Sequence, residues 1–200
     1  TVNPVNDKPI LNTIGNKSID EFATLTTIVS ATDVDNNTDL TYTTSTLPAN
    51  ATFNATTRTF TFTPVESQGG QVYQVTFIVS DGSLTDEETI SITVNEVNNS
   101  PVAVNDSASV NEDEALTINT STLLTNDYDL DTNTNAGLTV TAVNTAVNGT
   151  VSLSGSIITF TPNANFNGSA SFKYIVSDGS LTDTGTVTIT VNSINDDPVL

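Results

Sequence analysis

The chain has 200 residues, with 23 Asp and Glu against four Lys and Arg, a formal charge of −19, and no Cys, Met, Trp or His. The missing Cys and His exclude disulfides, thiolate or imidazole metal sites and nucleophile–histidine catalysis, which leaves oxygen ligands as the available metal chemistry. So acidic a surface repels nucleic acid and anionic membranes, and no apolar run reaches the roughly 18 residues that membrane insertion needs.

Taken in order, residues 1–8 read as a linker from a preceding module and residues 9–98 as a first domain. After Pro9 come a short strand, a glycine turn at Gly15 and a second apolar–polar run, then a Thr-rich strand that ends at the acidic loop Asp33–Asp39. Phe60 and Phe62 fall on one face of a predicted hairpin whose turn begins at Asn54. Val75, Phe77 and Val79 alternate in the next strand, and Ile90, Ile92 and Val94 alternate against Thr89, Ser91 and Thr93 in the last, the pattern of a sheet with one wet side.

Residues 99–195 repeat this order. Two strands are expected between Val102 and Ile118, a long acidic loop from Leu123 to Asp131, and an Asn148-Gly149 hairpin. Phe172, Tyr174 and Val176 point inward, Lys173 points to solvent, and residues 196–200 begin a further linker. Of the aromatics, Tyr128 and Phe166 are the two expected in loops. About seven short strands per module, with no sustained helical period, predict an all-β chain of two Greek-key β-sandwiches arranged end to end.

The repeat is literal at one place. Val-Ser-Asp-Gly-Ser-Leu-Thr-Asp at Val79–Asp86 returns at Val176–Asp183, 97 residues on. Acidic patches recur beside it: Asp20 and Glu21 with Glu112 to Glu114, the Asp-x-Asp pairs Asp33/Asp35 and Asp129/Asp131, the Asp-Gly turns at Asp81 and Asp178, and the linkers Asn6-Asp7, Asn98-Asn99 and Asn195 to Asp197. Alternate carboxylates in an extended loop can face one centre, and Ca²⁺ accepts such oxygen sets in loose geometry. The same pairs can instead bond local backbone amides as Asx turns, and Asp-Gly can be a plain hairpin turn.

The Ala31-Thr-Asp-Val-Asp35 motif, the repeated octapeptide with its closing Thr-x-Thr-x-Val strand and the Val-Asn-Asp-x-Pro linker together resemble the bacterial cadherin-like, immunoglobulin-like tandem repeats of large secreted adhesins of the repeats-in-toxin type. The resemblance spans essentially the whole chain. It implies Ca²⁺ between consecutive modules, with Glu21, Glu66, Glu96, Asn98, Asn99, Asp129, Asp131 and Asp178 as the central ligand set. Asn6, Asp7, Asp33, Asp35 and Asp81 would serve the leading side of the first module, and Glu112, Asn195 and Asp196 the trailing side of the second. This chain departs from the family pattern where Asn99 replaces a linker aspartate, where Ser193 stands in place of Glu96, and where no acid near Asn163 to Gly168 matches Glu66.

The resemblance implies a non-enzymatic, extracellular role: calcium-binding extender modules of a bacterial surface adhesin, with calcium stiffening the array for adhesion to a surface or another cell. Its partners would be calcium ions and neighbouring repeats of the same chain. The alternative is a calcium-dependent polysaccharide-binding module of a secreted carbohydrate-active protein. Glycoside hydrolysis by paired carboxylates is disfavoured, because these acids lie on loops at module ends.

Overall fold

The computed structural model describes residues 5–35, 39–132 and 134–195. Asp196 and the linker 196–200 lie outside the described residues, as do residues 1–4, 36–38 and 133. The chain divides into two compact units, Thr1–Val97 and Asn98–Leu200.

Period-two alternation builds the first unit. Its strands are β1 (Ile10–Leu11), β2 (Lys17–Asp20), β3 (Leu25–Ile28), β4 (Ala31–Thr32), β5 (Thr41–Thr44), β6 (Ala51–Asn54), β7 (Thr59–Phe62), β8 (Val72–Ser80) and β9 (Thr85–Asn95). They form a four-stranded sheet in the order β2-β9-β8-β5, a three-stranded sheet β3-β7-β6, and a short β1-β4 pair. β2 runs parallel to β9 while the other pairs are antiparallel. The inward residues of the two larger sheets meet in one core, where the Phe60 and Phe77 rings stand edge to face with centroids 5.5 Å apart. Burying such side chains is the main stabilising term, roughly 1.5–3 kcal/mol for each large apolar group.

The second unit repeats the plan with β10 (Asp106–Asn111), β11 (Leu116–Asn119), α1 (Thr120–Leu123), β12 (Thr139–Val147), β13 (Gly149–Ser154), β14 (Ile157–Pro162), β15 (Gly168–Ser177) and β16 (Thr182–Asn192). Its sheets are β10-β16-β15-β12 and β11-β14-β13. Phe160 stacks on Phe172 at 6.0 Å in its core.

Two local expectations are corrected. Asn148-Gly149 does not close a hairpin: β12 pairs with β15 and β13 with β14, so the turn carries the chain from one sheet to the other. Gly149 is required there because a Cβ would strike the Phe160 ring and the Thr161 carbonyl. One helical turn, α1, forms just before the expected acidic loop in a chain expected to hold no helix, because Asn119 Oδ1 accepts the Ser121 amide and Leu123 is buried beneath it. Phe166 lies in a loop, as expected, and packs against the core from there. Lys173 is exposed, as its alternation predicts.

Candidate metal centre

At the leading end of each unit corresponding residues are assembled alike, with Asp7 in the first where Asn99 stands in the second. The β8–β9 turn is held by Asp81 Oδ1, which accepts the Ser83 and Leu84 amides, while Oδ2 accepts Asn6 Nδ2 at 2.8 Å. The β15–β16 turn is held identically by Asp178, whose Oδ2 accepts Asn98 Nδ2 at 2.9 Å. Asp33 Oδ1 accepts the Asp35 amide, and Asp35 Oδ2 accepts the Asp7 amide. In the second unit Asp129 Oδ1 accepts the Asp131 amide, and Asp131 Oδ1 accepts both the amide and the side chain of Asn99 at 3.0 Å. The Asx-turn reading of Asp-x-Asp is the one the hydrogen bonds realise. One oxygen closes an Asx turn, and the other, Asp33 Oδ2 or Asp129 Oδ2, is buried with no hydrogen-bond partner.

At the trailing end of the first unit, Glu21 follows β2 and its amide extends the ladder to Asn95. Glu21 falls on the inward side of the β2 alternation, with only 3% of the residue exposed, and Phe22 then turns the chain through φ 60°. Glu21 Oε1 accepts the Val97 amide at 3.1 Å. A single 3₁₀ turn, Glu66–Gln68, is pinned by the buried Gln68, whose side chain bonds Val65, Asn50 and Ala49. It brings Glu66 to Glu21 and Glu96, so that one oxygen of each lies within 4.8 Å of the others. Gly69 lies against them, so that a Cβ there would displace the Glu96 and Glu21 carboxylates.

Glu112 reproduces the Glu21 arrangement in the second unit, 5% exposed and accepting the Ile194 amide at 2.8 Å. Among the described residues no comparable three-acid group forms around it, since Ser193 replaces Glu96 and the chain around Asn163 to Gly168 brings no acid. Asn195 is described, and Asp196 is not.

These donor sets suit a hard cation. The Leu84 and Ser83 amides, with Asn6, hold the Asp81 carboxyl below its ordinary range. Leu181, Ser180 and Asn98 do the same for Asp178. Both acids thus stay ionised. Glu21 Oε2, Asp33 Oδ2, Asp127 Oδ2 and Asp129 Oδ2 are buried oxygens that no protein donor satisfies, an arrangement that costs free energy unless a cation or proton compensates it.

The family model of a cadherin-like domain matches residues 97–192, and that of an Ig domain matches residues 8–95. The chain is an Ig-like domain followed by a cadherin-like domain. Human protocadherin-24 EC1-2 superposes with a TM-score of 0.59 at 18% identity, covering 96% of this chain and 100% of that one. Drosophila N-cadherin EC1-4 gives 0.61 at 17% identity, covering 95% of this chain and 50% of the other. An endo-fucoidan hydrolase of glycoside hydrolase family 107 is 22% identical with a TM-score of 0.41, covering 94% of this chain, which spans 29% of the hydrolase chain. No relative was found among curated protein sequences. Among the described residues no helix is long and apolar enough to cross a membrane.

The cadherin-like domain also holds polar residues that its sequence did not announce. Tyr174, fully buried in β15, directs its hydroxyl at the Val104 carbonyl, Asp106 Oδ2 and Asp127 Oδ1 at 2.8, 3.0 and 3.1 Å. Burial raises the carboxyl pKa of Asp106 and Asp127, and burial with those two neighbours raises that of the Tyr174 phenol. Aligning the two copies carries the signal, because Ala31, Phe77 and Glu88 of the Ig-like domain stand where Asp127, Tyr174 and Gly185 stand here. Beside them a surface cavity of about 430 Å³ is lined by Thr125, Asn126, Asp127, Tyr128, Thr134 and Asn135.

Proposed function

We propose that the two domains are calcium-binding extender modules of a large cell-surface adhesin, whose ends take up Ca²⁺ and so stiffen the joints of a longer array. One observation carries this reading. In Glu21, Asp33, Asp127 and Asp129 one carboxylate oxygen accepts a backbone amide and the other is buried without a partner.

A bound divalent cation would supply the positive charge that these oxygens lack, and Ca²⁺ accepts carboxylate oxygens in loose geometry. The chain's own residues do the rest. Glu21 ties its carboxylate to Val97, and the next two residues, Asn98 and Asn99, are tied to Asp178 and Asp131. Ligands on either side of the linker are thus fastened to consecutive linker residues. Bare carboxylates repel and leave the joint loose, whereas coordinated ones are drawn together. Extracellular calcium modules often have affinities of about 10⁻⁴–10⁻³ M, which would keep the array loose in low-calcium cytosol and stiffen it outside. The role is non-catalytic, and the partners are calcium and neighbouring repeats.

Calorimetry and small-angle scattering of the 200-residue chain test this. Calcium added to chelator-stripped protein should release or absorb heat and lengthen the maximum dimension. No heat, or an unchanged dimension, refutes it.

A second reading, calcium-dependent polysaccharide binding, is favoured by Tyr128, 36% exposed on the wall of a cavity otherwise lined by amides, hydroxyls and a carboxylate. An aromatic face with polar neighbours suits a sugar ring. Calcium-dependent retention on immobilised polysaccharide would support it, and loss of retention in Tyr128→Ala would localise it.

A further inference from the structure

The cadherin-like domain must hold its Asp-x-Asp loop and its linker strand in one register, since Asp131 and Asn99 lie on different segments. Four ties join them, one of them the Asn126 side-chain amide donating to the Val104 carbonyl at 3.3 Å. Asn99 bonds Asp131, Val102 and Tyr128 exchange both backbone hydrogen bonds at 2.7 and 3.2 Å, and the Val104 amide donates to Asp127 Oδ1 at 2.7 Å. The Val102–Tyr128 tie is one isolated bridge, not a ladder.

In the Ig-like domain the corresponding seam is mainly backbone, with the Asn12 side-chain amide also donating to the Ser30 hydroxyl at 2.9 Å. β1 pairs with β4 through Ile10↔Thr32 and Leu11↔Ala31, and the Asn12 backbone amide donates to the Ser30 carbonyl at 2.9 Å. In the cadherin-like domain a side-chain carboxylate takes the place of that last carbonyl. It is anchored in turn by a core tyrosine, whose ring lies so close to Gly185 that a Cβ there would overlap it.

We propose that Asp127 and Tyr174 form a pin that fixes the linker strand to the Asp-x-Asp loop, making both of them positioning residues for Asn99, Asp129 and Asp131. The inference rests on the calcium-binding reading above. Asp127 stands two residues before Asp129 and is 3% exposed, so its carboxylate sets the direction in which the loop leaves the core. Tyr174 ties that carboxylate to the sandwich core. Groups that orient metal ligands from behind typically contribute about 10–100-fold in metal affinity.

The test is a residue-resolved NMR calcium titration of the full chain. The Asn99 and Asp131 amides report the cadherin-like domain, and the Asp7 and Asp35 amides serve as an internal reference. In Asp127→Ala and in Tyr174→Phe the calcium midpoint at Asn99 and Asp131 should rise about tenfold or more, with the midpoint at Asp7 and Asp35 unchanged. Asp127→Asn keeps an oxygen for the Val104 amide and should stay within about threefold of the parent chain, a small part of that range.

A midpoint within about twofold of the parent in both Asp127→Ala and Tyr174→Phe overturns the proposal, since it falls well short of an orienting contribution. Asp127→Asn as weak as Asp127→Ala also overturns it, because Asp127 would then act through its charge as a ligand. Should Asp127→Ala unfold the domain, Tyr174→Phe decides alone, since Phe77 already occupies that position in the companion domain. If the parent chain shows no calcium shift at either loop, the calcium reading itself fails. If the parent shifts and the variants shift equally, only the pin fails.

Discussion

Replacing Glu21 by Gln should stabilise the protein in chelator and destabilise it in calcium. The side chain is 3% exposed and its second oxygen has no partner. Oxygens of Glu66 and Glu96 lie within 4.8 Å, and at that spacing a pair of unit charges repels by about 1 kcal/mol in bulk water and about 3 kcal/mol at an effective dielectric of 20. Glu96 is exposed and Glu66 half-buried, so the net relief on neutralising Glu21 is set near the lower figure, about 1–2 kcal/mol for the two pairs together.

Gln retains an oxygen for the Val97 amide, so the strand end is not released. In chelator the melting temperature of the Ig-like domain should rise by about 4–8 °C per kcal/mol. At a calcium concentration about 100 times Kd the parent chain gains about 2.7 kcal/mol from one site. The variant forgoes most of that, so the order of the two melting temperatures reverses. Differential scanning calorimetry in EDTA and in calcium reads both signs. A variant less stable than the parent by the same amount in both media would refute the reasoning, since Glu21 would then be a structural cap and nothing more.

Further outcomes follow from the same geometry. Gly69→Ala has an ordinary backbone angle, φ −56°, so its effect reports the Cβ thrust between Glu21 and Glu96; calcium-dependent stabilisation should fall while helix- and strand-sensitive circular dichroism is unchanged. Gly185→Ala overlaps the Tyr174 ring and should destabilise the cadherin-like domain by about 1–3 kcal/mol, read as a lowered denaturant midpoint for that domain alone. The Tyr174 phenol, raised by burial and then by Asp127 and Asp106, should not ionise while the domain is folded. In an alkaline titration at 295 nm its step should coincide with unfolding, and Tyr174→Phe should remove that step. Phe60→Ala empties a fully buried site and should cost about 3–5 kcal/mol, lowering the calorimetric transition of the Ig-like domain only.

Much of the fold was legible because alternation is local. Ile90, Ile92 and Val94, or Phe172, Tyr174 and Val176, declare a buried face within five residues, and they are buried as that pattern requires. Turn chemistry was legible only in part. Asp81-Gly82 closes β8 and β9, but Asn148-Gly149 joins strands of different sheets, because the left-handed turn at Asn148 is compatible with either exit and only the partner strands choose. The helical turn at Thr120–Leu123 was hidden for a similar reason: its one cap and one buried leucine are too short a signal to read against a Thr-rich background.

The candidate ligands were legible as types and spacings, since Asp-x-Asp, Asp-Gly and the Asn-rich linkers recur in register along the chain. What each carboxylate does could not be read there. The bond from Val97 to Glu21 joins residues 76 apart, and that from Asn98 to Asp178 joins residues 80 apart. Which oxygen is spoken for, and which is left buried and bare, depends on amides that arrive only when the sheets close. The exchange of Ala31 and Phe77 for Asp127 and Tyr174 shows the same limit: the letters mark a difference between two copies, but burial turns a carboxylate and a phenol into a tie across the core. Local periodicity determined the sheets, and long-range closure decided where their charge is left unsatisfied.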